Sequence, residues 1–149
     1  MIAEALFCLA LNAYWEARNQ DMEGMIAVSQ VVMNRVESEY YPDDVCEVVF
    51  QGPTRPSWKD ASIDIPVRHR CQFSWYCDGK SDNIPAKDSE AWNAARLAAY
   101  GVYTDRVDNL VGDSLWYHAY YVTPDWASQK EERTRIGDHI FYGWRYGTH

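Results

Sequence analysis

The residues best suited to chemistry are Tyr14-Trp15-Glu16-Ala17-Arg18, a carboxylate set between two aromatic rings and a cation. Ahead of them Ile2, Leu6, Leu9 and Ala13 recur at helical spacing, which places Glu16 on the last turn of a predicted amphipathic helix. Aromatic walls would desolvate the acid there, and the negative end of the helix dipole opposes its ionisation; both raise a carboxyl pKa. A protonated carboxyl of that kind suits donation to a leaving oxygen, as in cleavage of a glycosidic bond. The plainer alternative is an ordinary ion pair between Glu16 and Arg18. Two other constellations compete. His118 and His139 with Asp138 or Asp125 offer metal-ligand types, yet no close histidine pair or His-Glu-x-x-His pattern stands among them. A cysteine nucleophile served by either histidine is the other, and nothing local marks Cys8, Cys46, Cys71 or Cys77 as activated. The reading therefore calls for no metal and no cofactor.

The totals narrow the field further. A chain of 149 residues suits one domain with a real core, and residues 1–149 are read as a single domain. Fourteen basic against 22 acidic residues give a net charge of −8, which argues against nucleic acid or an anionic membrane surface as the main partner, though not against a carbohydrate. Eleven Tyr and seven Trp supply flat faces with polar edges, suited to a recognition site that is partly apolar and partly wet. The N-terminus lacks a basic region and a small-residue cleavage site, so it is not read as a signal peptide, and no apolar run is long enough for membrane insertion. The protein is expected to be made in the cytoplasm, to act as a monomer, and to need some other route of release. The four cysteines are compatible with two disulfides in any of three pairings or with four thiols; Cys71 and Cys77 are too far apart for a zinc knuckle.

The elements that must position Glu16 follow in order. After a polar break, Asn19-Gln20-Asp21, a second helix is predicted with Asp21 as its N-cap and Met22, Met25, Ser29, Val32 and Val36 on one stripe. Val45 to Gln51 is a short apolar piece, helical or extended. Residues 52–70 read as a long irregular basic loop, a rim or lid for an anionic ligand or solvated decoration. Cys71 to Cys77 reads as a strand with Gln72, Ser74 and Tyr76 on one face and Phe73 and Trp75 on the other. Asp88 is placed to cap an alanine-rich helix closed by Gly101. Leu115 to Val122 and Ile136 to Tyr142 pair as strands, joined by a charged stretch that includes Trp126. The expected product is a small antiparallel sheet set against helices.

At the level of motifs, the chain resembles the SleB-type cell wall hydrolases, which include the spore cortex-lytic enzymes. The resemblance rests on Asn12 to Arg18, Glu23 to Val28, Val32-Met33-Asn34-Arg35-Val36, Tyr41-Pro42, Val45 to Val49, Cys71-Gln72-Phe73-Ser74-Trp75, Tyr117-His118-Ala119 and Arg135 to Tyr142, in order along most of the chain. It implies an α+β, lysozyme-like or lytic-transglycosylase-like domain with helices around a small antiparallel sheet and a cleft between. It also implies peptidoglycan as substrate and Glu16 as the catalytic acid and then base in lytic transglycosylation of the MurNAc-GlcNAc bond. Gln72, Phe73, Ser74, Tyr117, His118, Trp126 and His139 are the candidate substrate-binding residues, while Arg18 is read as a brace of the helix corner and Asn34 and Arg35 as structural. The pattern departs at Asn19-Gln20-Asp21, where the family usually has Gly-Glu-Ser, and in the longer 52–70 segment. Hydrolysis with Glu23, Asp78 or Asp125 as a second carboxylate, and a noncatalytic glycan-binding protein, are the alternatives. A bare catalytic domain of this kind resembles an endolysin, which would reach the wall by phage- or holin-type export.

Overall fold

The helix that carries Glu16 is central, with neighbours on most of its sides. In the computed structural model, which describes residues 2–145, helix α1 (Ile2–Ala17) is buried at every position from Cys8 to Tyr14. That differs from the amphipathic helix the spacing suggests, since Ile2 and Phe7 are exposed while Leu9, Ala13 and Tyr14 are wholly enclosed. A helix apolar all round belongs inside a core, and here three others cover it. These are α2 (Met22–Glu37), the short α3 (Val45–Val49) and α4 (Ser89–Tyr103). Val28, Val31 and Val32 of α2 are fully buried, each side chain contributing about 1.5–3 kcal/mol of transfer free energy. Asp21 caps α2 as the sequence predicts, its carboxylate accepting from Gly24 N at 3.2 Å. Asp88 does not cap α4 with its side chain, because the Tyr14 hydroxyl donates to that carboxylate at 2.5 Å, and α4 runs past Gly101 to Tyr103.

The remaining elements form two small sheets. A hairpin of β1 (Thr54–Pro56) and β2 (Asp64–Pro66) stands within the segment expected to be irregular. The second sheet has the order β3–β5–β4, all antiparallel, from β3 (Trp116–Ala119), β4 (Glu131–Ile136) and β5 (His139–Gly143). Three strand expectations need correction. The stretch from Leu115 to Val122 is extended only to Ala119, after which Tyr120 and Tyr121 turn. Ile136 to Tyr142 is not one strand: Gly137, at φ +57°, turns the chain, and the charged stretch before it is β4. Cys71 to Cys77 is not a strand at all, but bends into a 3₁₀ turn over Ser74–Cys77. Its ends are joined by the Cys71–Cys77 disulfide with Cα atoms 6.1 Å apart, whereas an extended segment of that length would separate them by about 20 Å.

Two fasteners hold the sheet against the helices that flank Glu16. From α2, Asn34 Nδ2 donates to the carbonyls of Gly112 and Ser114 at 3.0 and 2.9 Å, and Arg35 Nε donates to that of Leu115 at 2.8 Å, fixing the chain as it enters β3. From the α1–α2 corner, Gln20 Nε2 donates to Asp138 Oδ2 and its Oε1 accepts from Asp138 N, both at 3.0 Å. A Cβ at Gly137 would lie 2.2 Å from that same Gln20 oxygen and displace the clasp, and the φ of +57° already favours glycine at this turn. Among the described residues no helix is long and apolar enough to cross a membrane.

A second disulfide, Cys8–Cys46, ties α1 to α3 across 38 residues of chain. Replacing both cysteines by alanine is expected to cost about 3–4 kcal/mol from loop-closure entropy, read as a lowered urea midpoint. A midpoint unchanged from the parent protein would contradict that role.

Candidate active site

Glu16 ends the last full turn of α1, and the sheet delivers its closest partner. Pairing of Tyr117 with Phe141 places the Tyr117 ring over the end of the helix, where its hydroxyl donates a short hydrogen bond to Glu16 Oε1. Behind Tyr117 lies Asn12, one helical turn before Glu16 and fully buried; its Oδ1 accepts from Trp75 Nε1 at 2.9 Å, and its amide helps to hold down the pKa of Tyr117. Burial raises the Glu16 carboxyl above its ordinary value, while the Tyr117 hydrogen bond and the charge of Arg35 work against that rise. Tyr117 itself is pushed well up, by burial first and then by the negative charge of Glu16, so it stays a donor at any physiological pH.

Two chambers meet at this carboxyl. One, of about 130 Å³, is walled by Phe73, Trp116, Tyr117 and Trp126 with Gln72 and Arg35 as polar groups. The other, of about 270 Å³, is polar and takes in Trp15, Arg18, Gln20, Tyr121, Asp138 and His139. Glu16 lines both. A larger apolar groove of about 530 Å³ runs between α1 and α4, but its walls, Leu6, Phe7, Trp92 and Tyr100 among them, hold no acid or nucleophile. The concavity with chemistry is the smaller one.

Gln72, Phe73, Tyr117 and Trp126 thus come together in the aromatic chamber and His139 in the polar one, where burial lowers its pKa and favours the neutral ring. Ser74 and His118 line neither. Ser74 is exposed at the start of its 3₁₀ turn. His118 is buried, with Nδ1 against the Ala119 carbonyl at 2.8 Å and Nε2 against the Tyr142 hydroxyl at 2.9 Å. Because β3 pairs His118 with Ile140 and Ala119 with His139, alternation turns the two histidines to opposite faces and no metal pair forms between them. Arg18 lies 4.0 Å from Asp88, with both side chains partly open to water, a weak brace, and it also faces the polar chamber. Residues 53–70 contribute to neither chamber. The sequence reading did not place Arg35 and Trp116 in the aromatic chamber, nor Gln20, Tyr121 and Asp138 in the polar one. Arg35 had a signal: it falls at the buried positions Met25, Val28, Val32 and Arg35, where a charge on an apolar stripe asks for a reason.

Residues 19–142 match the model of the family described as Cell Wall Hydrolase. The chain belongs to that family. Among curated cell wall hydrolase relatives, spore cortex-lytic enzymes from Oceanobacillus iheyensis and Bacillus subtilis are 42% and 28% identical over 133 and 138 residues. Those alignments take in 89% of this chain but only 39% and 35% of the relatives, so it spans little more than a third of their length. Among solved structures, the catalytic domain of the germination-specific lytic transglycosylase SleB from Bacillus anthracis superposes with a TM-score of 0.64 over 93% of both chains. The catalytic domain of Bacillus cereus SleB gives 0.63 over 93% of this chain and 89% of that one. At 24% identity these are likenesses of fold, and they agree with the α+β architecture expected from sequence. The matched span begins three residues after Glu16, so the role of that residue rests on its geometry.

Since the folded pKa of Glu16 lies above its unfolded value, the native state favours the protonated form. The stability this provides is complete at acid pH, below the unfolded pKa, and is lost as pH rises through the folded pKa. Glutamine cannot ionise. Thermal melts from about pH 4 to 9 should show Glu16→Gln matching the parent at the acid end and overtaking it toward the alkaline end; a constant offset would contradict the raised pKa.

Proposed function

We propose that this cell wall hydrolase cleaves the glycan strands of peptidoglycan at the MurNAc-GlcNAc β-1,4 bond by lytic transglycosylation, with Glu16 serving as acid and then as base. The observation that carries the reading is a half-buried carboxyl, held by a tyrosine hydroxyl, at the seam of two chambers, one walled by aromatic rings and the other by polar groups. The protonated carboxyl gives its hydrogen to the glycosidic oxygen, and the bond from that oxygen to C1 of the muramic residue breaks. The carboxylate left behind, steadied by the Tyr117 hydroxyl, then removes the proton from the C6 hydroxyl as that oxygen bonds to C1. A 1,6-anhydro ring results, Glu16 recovers its proton and no water is consumed. Phe73, Trp116 and Trp126 give one chamber aromatic walls, and Gln72 and His139 offer hydrogen-bonding edges.

Glu23, Asp78 and Asp125 line neither chamber, which leaves them poorly placed to activate water. Asp138 does line the polar one, and it favours a second reading in which hydrolysis replaces ring closure. The two disulfides suit an oxidising compartment, in keeping with action on the wall outside the cytoplasm after an endolysin-like release.

Incubation with purified sacculi tests the proposal. The parent protein should solubilise muropeptides with a rate that falls as pH rises through the Glu16 pKa, and Glu16→Gln should lose at least about a thousandfold in rate while still sedimenting with the sacculi. Glu16→Gln with parental activity, or a parent rate flat from about pH 5 to 9, would overturn it.

A further inference from the structure

Arg35 is the one strongly buried cation in the cleft, only 4% exposed, and among the described residues it has no carboxylate within ion-pair distance. A guanidinium taken out of water without a counter-ion is costly, and a fold retains one where the charge has work to do. Its surroundings are arranged around that charge. Nε donates to the Leu115 carbonyl at 2.8 Å and Nη1 to Gln72 Oε1 at 3.3 Å, while the rings of Tyr41 and Phe73 lie 4.9 and 5.2 Å from its central carbon. Nη2 has no hydrogen-bond partner among the described residues, and the group forms part of the wall of the aromatic chamber together with Glu16.

We propose that Arg35 is a positioning residue for Glu16: one buried charge that holds Gln72 and the entry to β3 in place and stabilises the carboxylate that exists between the two proton transfers. The inference rests on the acid–base role given to Glu16 above. The planar fork explains the residue type, since two of its N–H groups hold fixed partners while the delocalised charge still acts across the chamber. Leu115 is two residues before Tyr117, so the same guanidinium also sets where the Tyr117 hydroxyl meets Glu16. Other groups around the carboxyl are Tyr117 from β3, Arg18 in the turn that follows α1, and Asp138 and His139 from the β4–β5 turn and β5. Of the charged ones it is Arg35 that acts on the protonation of Glu16, favouring its ionised form.

Two substitutions separate charge from geometry. Arg35→Met is expected to move the alkaline limb of the sacculus-cleavage rate to higher pH and to lower the maximal rate by about tenfold. Arg35→Lys, which keeps the charge but not the fork, is expected to leave the limb in place while the rate still falls. Carbon-13 titration of the Glu16 carboxyl in each protein gives a readout that does not depend on turnover, so Arg35 can be judged even if the parent cleaves no peptidoglycan. An Arg35→Met protein that folds by circular dichroism but titrates at Glu16 as the parent does would overturn the proposal. Should Arg35→Met fail to fold, Arg35→Lys decides: a reduced rate with an unmoved limb supports the role, and full activity or a displaced limb overturns it.

Discussion

The structure depends on the desolvation of one carboxyl. Glu16 is placed where burial resists its charge, and the Tyr117 hydroxyl and the Arg35 guanidinium oppose that resistance without abolishing it. A group so balanced can give up a proton and take one back at modest cost in each direction, which is the property a single-residue acid and base requires. Were burial to act alone, the acid would be too weak to protonate a glycosidic oxygen. A salt bridge to a nearby cation would instead leave it ionised and unable to donate.

Keeping that balance needs three parts of the chain in fixed relation: the end of α1, the start of β3 and the middle of α2. The sequence secures this with polar contacts of well-defined geometry at the margins of an apolar core. Asn34 and Arg35 grip the carbonyls that lead into β3, and Gln20 clasps the Gly137-Asp138 turn on the opposite side. The Gln20 amide both donates to and accepts from Asp138, which a carboxylate could not do. The disulfides add restraint further out, one across α1 and α3 and one closing the Cys71–Cys77 loop that presents Gln72 and Phe73.

What the sequence revealed and what it hid have physical reasons. The helices were legible because their apolar spacing and caps are local, and Asp21 shows this well. Glu16 stood out because an acid set directly after two aromatic residues at a helix end is unusual whatever surrounds it. The strands were harder to read: Phe73, Trp75 and Tyr76 are residue types that favour strands, yet they lie in or beside the 3₁₀ turn at Ser74–Cys77, whose ends the Cys71–Cys77 disulfide draws together. Alternation within β3 also could not show which histidine faces the cleft, because that depends on pairing with β5. Arg35 was passed over for a similar reason, its partners Gln72 and Leu115 being 37 and 80 residues away in the chain.

In the proposed mechanism a single carboxyl performs both proton transfers and leaves no place for water in the bond that forms, and this is the consequence open to the most direct test. Cleavage of sacculi in ¹⁸O-enriched water, followed by mass spectrometry of the new muramic ends, should yield anhydro products without heavy oxygen. One ¹⁸O at each newly exposed C1 would contradict the mechanism and assign the second step to a water activated elsewhere in the cleft.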